Sequence, residues 1–255
     1  IFYQNIFYQN IFYQNIFYQN IFYKPYNIMN QYLLIVLAIV FVFIMLVVFV
    51  TKNKLFDVSI NDTKYVDMND YGIEEIPGFL TPEECQKIIE LSNGKLFASK
   101  VYSQNEDVLS SDTRQSQQCW LTDENPIIKN ISDRVREYTK TPTNNQEQLQ
   151  VVNYSKGGFF SPHYDACEGN ADFCKRMDGE QGPRLLTVLF YLNDEFEGGE
   201  TIFPKINKVV KPQKGKAVIF RNVNKDGIII RQALHGGEPI KNGEKWIANK
   251  WIRIN

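Results

Sequence analysis

The sequence predicts a mostly β globular domain, a double-stranded β-helix (jelly roll) with flanking helices, preceded by one transmembrane helix. Three observations carry this. After Thr141, short apolar runs recur between breaks at Gly157-Gly158, Gly198-Gly199, Gly215, Gly227 and Gly236-Gly237, the texture of many short strands. The gaps between them are too short for the crossover helices of a doubly wound α/β sheet. Upstream lie two punctuated helical segments and, before those, an unbroken apolar stretch.

Residues 1–32 are a low-complexity repeat and its polar flank. Ile-Phe-Tyr-Gln-Asn runs four times, then decays to Ile21-Phe22-Tyr23-Lys24-Pro25. A period of five matches neither strand nor helix, so no face stays apolar along it. Aromatic, Gln and Asn content makes such a tract sticky in principle, but expansion of a short coding repeat without selected function is the favoured reading.

Residues 33–50 are uninterruptedly apolar. At about 1.5 Å per residue they span about 27 Å, the hydrocarbon thickness of an endoplasmic reticulum bilayer. The run exceeds a signal-peptide h-region, and no small-residue cleavage site follows Val50, so it reads as an uncleaved anchor. Residues 51–70 are a polar linker, and residues 71–255 form the domain.

Within that domain, Thr81-Pro82-Glu83-Glu84 supplies an N-cap, a proline at the first helical position and first-turn acids, with Gly94 at the far end: a helix. Asn125 to Lys140 is a second helix, with Ile127, Ile131 and Val135 on one face. Strands are expected at Leu149–Tyr154, Phe159–Asp165, Leu185–Leu192, Thr201–Phe203, Ala217–Phe220, Ile228–Leu234 and Trp246–Ile254. The stretch from Asp165 to Gly182 reads as a loop.

The formal net charge is −1, from 28 basic and 29 acidic residues, so no global field draws in nucleic acid or an anionic surface. The four cysteines lack zinc-site spacing. Cys167 and Cys174 flank a polar loop, where either a disulfide or two free thiols fits.

The chain has two histidines, and both fall in a metal-binding pattern. His163 and Asp165, two apart on an expected strand, project to one side. His235 ends another expected strand about seventy residues on, the distance needed to traverse a jelly roll and return alongside. Two imidazoles and a carboxylate on one side of a metal form the facial triad of non-haem Fe(II) oxygenases, with three positions left open. Lys245, opening an otherwise largely apolar strand, is placed to meet the remote carboxylate of 2-oxoglutarate.

Five separated motifs then carry a resemblance: Gln150-Val151-Val152-Asn153-Tyr154-Ser155-Lys156-Gly157-Gly158, Pro162-His163-Tyr164-Asp165, Arg184 through Asn193, Gly198-Gly199-Glu200-Thr201-Ile202-Phe203-Pro204, and Gly243 through Ile252. In this order, over residues 73–255, the chain resembles the prolyl 4-hydroxylases of the collagen and plant cell-wall type. The resemblance implies an Fe(II)/2-oxoglutarate-dependent dioxygenase that converts peptidyl proline to 4-hydroxyproline while 2-oxoglutarate yields succinate and carbon dioxide. It implies His163, Asp165 and His235 as iron ligands and Lys245 as cosubstrate anchor. Tyr154 and Thr187 would help hold the same distal carboxylate, Trp251 would lie near the peptide groove, and L-ascorbate would rescue oxidised iron.

The partners implied are a proline-containing peptide or protein and a membrane, with no nucleic acid. Compartment signals disagree. Lys52, Lys54 and Lys64 outweigh Lys24 and by the positive-inside rule favour a cytoplasmic domain, whereas similar hydroxylases work in the secretory lumen, the location adopted here. Rival readings are a 2-oxoglutarate hydroxylase of another residue or substrate, a non-catalytic jelly-roll binding protein, and a membrane-tethered interaction protein whose business is the repeat.

Overall fold

Strands covered on both faces read as near-continuous apolar runs, and the central strands here are of that kind. β7 (Leu149–Tyr154), β9 (Arg184–Tyr191), β13 (Ala217–Arg221) and β16 (Lys245–Arg253) lie in a seven-stranded antiparallel sheet. Its order is β1 (Glu74–Ile76), β13, β9, β16, β7, β6 (Gln117–Leu121) and β2 (Phe97–Ala98), numbered along the chain. Facing it, a five-stranded sheet runs β12 (Lys208–Val210), β11 (Thr201–Phe203), β14 (His235–Gly237), β8 (Phe159–His163) and β5 (Arg114–Gln115). Two small ladders, β3 (Val101–Tyr102) with β4 (Asp107–Val108) and β10 (Glu197–Gly198) with β15 (Ile240–Asn242), complete the described strands. This is the jelly roll with flanking helices that the sequence predicts.

These features come from a computed structural model that describes residues 37, 39–41, 72–102, 107, 108 and 112–255. The repeat, the linker and most of the expected membrane span lie outside the described residues. Among the described residues, no helix is long and apolar enough to cross a membrane.

The two-residue period of the strands divides the core. On β9, Leu186, Val188 and Phe190 face the helices, while Leu189 and Tyr191 face the space between the sheets. Helix α1 (Pro82–Ser92) begins with a capping box: the Thr81 hydroxyl accepts from the Glu84 amide at 3.2 Å, and the Glu84 carboxylate accepts from the Thr81 amide at 2.9 Å. Helix α2 (Pro126–Thr139) is capped by Asn125 and ends on Lys140, at φ 57°. Ile88 of α1 and Ile128, Ile131 and Val135 of α2 pack against the large sheet at 1% exposure or less. Each contributes about 2 kcal/mol relative to an exposed position.

Three expectations need correction. Ile228–Leu234 is not a strand: the Asn224 side chain accepts from the amides of Asp226 and Ile228, both at 2.9 Å, and Arg231–Ala233 is a single 3-10 turn. Ile229, bridged only to Val223, packs toward the helices and Ile230 between the sheets, while Ile228 is exposed. The segment after Asp165 is not all loop. It contains α3 (Ala171–Asp178), whose N-cap Asn170 accepts from the Phe173 amide at 2.9 Å, and a Cys167–Cys174 disulfide. Finally, β8 ends at His163, and Asp165 lies in the bend beyond it.

Candidate active site

The last residue of β8, His163, is paired in register with the first residue of β14, His235. His235 thus opens a strand instead of ending one. Each Nδ1 lies 2.9 Å from the carbonyl oxygen two residues earlier, Ser161 for His163 and Ala233 for His235. Those carbonyls can only accept, which places the proton on Nδ1 and leaves each Nε2 with a free lone pair. The bend after β8 turns Asp165 back onto both rings. Its Oδ1 is 3.6 Å from Nε2 of His163, and its Oδ2 is 3.6 Å from Nε2 of His235. The three ligand atoms lie within 4.8 Å of one another.

Burial pushes the Asp165 carboxyl up, but His235 and His163 outweigh it and hold the group well below the usual carboxylate range. Burial pushes His235 down to about 4 against the opposing pull of Asp165, so its imidazole is neutral near pH 7. Two imidazoles and one carboxylate fit Fe(II) and suit its open-sided coordination. Phe160 stacks on His163 at 3.5 Å, and Phe220 packs edge-on against His235 at 4.6 Å, fixing both rings from behind.

Lys245 opens β16 opposite Tyr154 of β7 and is 2% exposed. Its Nζ donates to the Gly199 carbonyl at 2.6 Å and stands 5.5 Å and 5.6 Å from the ring centres of Tyr154 and Tyr191. Burial lowers its pKa to about 8, with Glu200 pulling the other way. Lys245, Ile247, Asn249 and Trp251 alternate onto one face of β16, and all line the same cleft as the triad. A metal at one pole and a buried cation at the other suit a small dicarboxylate that chelates through one end.

Residues 149–253 match the 2OG-Fe(II) oxygenase superfamily. The chain is 39% identical over 175 residues to the provisionally named prolyl 4-hydroxylase of Acanthamoeba polyphaga mimivirus, covering 68% of this chain and 71% of that protein. The chain belongs to the prolyl 4-hydroxylase family of Fe(II)/2-oxoglutarate oxygenases. It is also 37% identical over 192 residues to prolyl 4-hydroxylase 1 of Arabidopsis thaliana, covering 69% of this chain and 66% of that protein. Among solved structures it is similar to the viral collagen prolyl hydroxylase of Paramecium bursaria Chlorella virus-1 in its 2OG complex. That likeness has 31% identity and a TM-score of 0.59, over 74% of this chain and 98% of that one. The protein is an Fe(II)/2-oxoglutarate-dependent dioxygenase.

Within this prolyl 4-hydroxylase fold the remaining expected site residues divide. Tyr154 is buried beside Lys245, and desolvation raises its hydroxyl pKa. Thr187 lies in the space between the sheets, but its hydroxyl is committed to Asp165, donating to Oδ2 at 2.6 Å. Trp251 is buried at 5% exposure beneath the Arg184 guanidinium, which lies 3.4 Å from its ring centre, and its indole nitrogen has no protein partner.

Sequence reasoning missed several residues of the cleft. Thr201 is buried, receives the Tyr191 hydroxyl at 2.7 Å and lines the cleft with Lys245. Arg114 lines the same cleft and lies over Phe160 at 4.6 Å. Asn222 reaches the site only through Thr187. The alternation of Thr187, Leu189 and Tyr191 could have flagged the Tyr191 hydroxyl, whereas single polar residues such as Asn222 carry no spacing signal.

Proposed function

We propose that this enzyme is a membrane-anchored prolyl 4-hydroxylase acting on proline-containing peptides or proteins. The observation that carries the reading is the two-pole cleft: His163, Asp165 and His235 at one end, Lys245 at the other, with Trp251 and Arg114 on its walls. The prolyl hydroxylase activity for which its relatives are named supports proline as the target. When bound, iron with 2-oxoglutarate supplies the oxidising chemistry for C–H hydroxylation, with succinate and carbon dioxide as coproducts. His163, Asp165 and His235 would hold the metal, and the Lys245 ammonium would orient the far carboxylate of the cosubstrate by a charge-assisted hydrogen bond. Tyr154, Leu189 and Ile247 keep bulk water from the interior end of the cleft. Ascorbate is the proposed reductant, on the family resemblance alone.

Two observations support the anchored, lumenal setting. Leu37 and residues 39–41 are helical, with their apolar side chains exposed, as a lipid-facing helix requires. The Cys167–Cys174 bridge suits an oxidising compartment. Protease protection of the domain in microsomes tests the setting.

The activity is tested by 2-oxoglutarate turnover with Fe(II) and proline-rich peptides, with mass spectrometry of the product. Hydroxylation at proline C4, abolished in His163→Ala, is the expected result. Iron-independent turnover would overturn the mechanism, and product on another residue would correct the substrate.

A further inference from the structure

We infer that Thr187 and Asn222 form a positioning relay that holds Asp165 as a one-oxygen metal ligand. Both are 1% exposed. The Thr187 hydroxyl stands 2.6 Å from Oδ2 of Asp165, and the Asn222 side-chain amide stands 2.8 Å from the same hydroxyl. The polarity of this chain is forced. An ionised carboxylate only accepts, so the single hydroxyl proton goes to Asp165, and Asn222 must then present its NH2 to the threonine oxygen. That orientation leaves the Asn222 side-chain carbonyl buried without a partner, a costly arrangement for a residue serving only the fold. The Asn222 backbone is itself pinned: its backbone N–H donates to the Leu185 carbonyl at 2.9 Å, and its backbone carbonyl accepts from the Ile230 amide at 2.8 Å. The relay thereby ties β9 and Asp165 to the segment that leads into His235.

The consequence is one of coordination number. A carboxylate that gripped iron through both oxygens would, with two imidazoles, take four of six positions. A chelating cosubstrate needs two more, leaving none for dioxygen. By drawing on Oδ2, Thr187 biases ligation toward Oδ1 and keeps the third position open. This inference rests on the iron reading above, and it departs from the cosubstrate-binding role that the family resemblance implies for Thr187.

The test compares the parent protein with Thr187→Val, Thr187→Ser and Asn222→Ala. The readouts are Co(II) titration, the visible absorption of the Co(II) form, thermal melting, KM for 2-oxoglutarate, and the ratio of succinate to hydroxylated product. Thr187→Val is expected to weaken Co(II) binding about 10–100-fold, to alter the Co(II) spectrum and to raise the succinate ratio. Thr187→Ser, which keeps the hydroxyl, is expected to restore all three, and Asn222→Ala to fall between. Parental Co(II) affinity and spectrum in Thr187→Val with a raised KM for 2-oxoglutarate would assign Thr187 to the cosubstrate and overturn the relay. If Thr187→Val does not fold, unchanged Co(II) binding and spectrum in Asn222→Ala overturns it instead. A parent protein that binds no Co(II) would refute the iron reading itself, a separate outcome.

Discussion

His235 stands directly across the ladder from His163, their ring centroids 4.4 Å apart. One closes its strand and the other opens its own, so both imidazoles emerge where β8 and β14 meet. The spacing of two backbones, rather than the conformation of a loop, sets the separation of the two nitrogen ligands. Such a site is rigid because it is built on strands.

Gly236, the neighbour of His235, controls that spacing. A Cβ added there would lie 2.9 Å from the Phe160 carbonyl oxygen and 3.1 Å from the Pro162 nitrogen. Both are backbone atoms of β8 and cannot rotate away. Gly236→Ala should force the strands apart, costing about 1–3 kcal/mol and weakening metal binding. Thermal melting and metal titration check this, and parental metal affinity would show that another contact sets the spacing.

The Cys167–Cys174 bridge begins two residues beyond Asp165 and reaches into α3. Glu168, inside the bridged segment, is ion-paired with Arg231, whose guanidinium also lies over the Tyr164 ring at 5.4 Å. The segment after Asp165 is thus tied to the segment before His235. For so short a loop the chain-entropy effect is about 2–3 kcal/mol, so reduction, or Cys167→Ser with Cys174→Ser, should lower the melting temperature by about 4–10 °C. Metal affinity should fall with it. Identical melting curves with and without reductant would show that the bridge constrains nothing.

That the candidate site residues converge on one cleft was legible because spacing alone constrains them. Lys245 and Trp251 are an even number of positions apart on one strand and necessarily share a face. The two histidines had no competitors. What escaped was whatever depends on contacts made across the fold. Ile228-Ile229-Ile230 reads as a strand from hydrophobicity, yet it makes only an isolated bridge, Ile229 with Val223, because the Asn224 side chain accepts from the Asp226 and Ile228 amides and holds the chain in a turn. Helix α3 is eight residues with none fully buried, so no apolar stripe announces it. Thr187 could be placed on the inner face from parity, but its partner could not, because Asp165 reaches it through a bend.

Lys245 is a buried cation for which the proposed partner is the cosubstrate. With its pKa at about 8 in the fold, against the ordinary lysine value of 10.5, the fold carries a cost of about 3 kcal/mol below pH 8 that fades as pH rises toward 10.5. Lys245→Met at pH 7 removes that cost and loses one hydrogen bond to Gly199, worth about 1 kcal/mol. The variant should therefore melt about 4–8 °C higher while losing 2-oxoglutarate binding. A lower melting temperature would show that the lysine stabilises the empty cleft.

The same lysine makes a pH prediction with a definite sign. In the cosubstrate-free enzyme the ammonium is present below pH 8 and is lost as pH rises through that value. A carboxylate beside it favours the charged form, so binding above pH 8 must draw a proton from solution. KM for 2-oxoglutarate should be flat below pH 8 in this respect and climb by up to about tenfold per unit above it. Lys245→Arg separates charge from other causes, because a guanidinium does not titrate in this range. Its KM should start higher, since the planar head fits the lysine's place poorly, but should lose the rise above pH 8. A rise of equal slope in both proteins would place the titrating group elsewhere and remove Lys245 as its source.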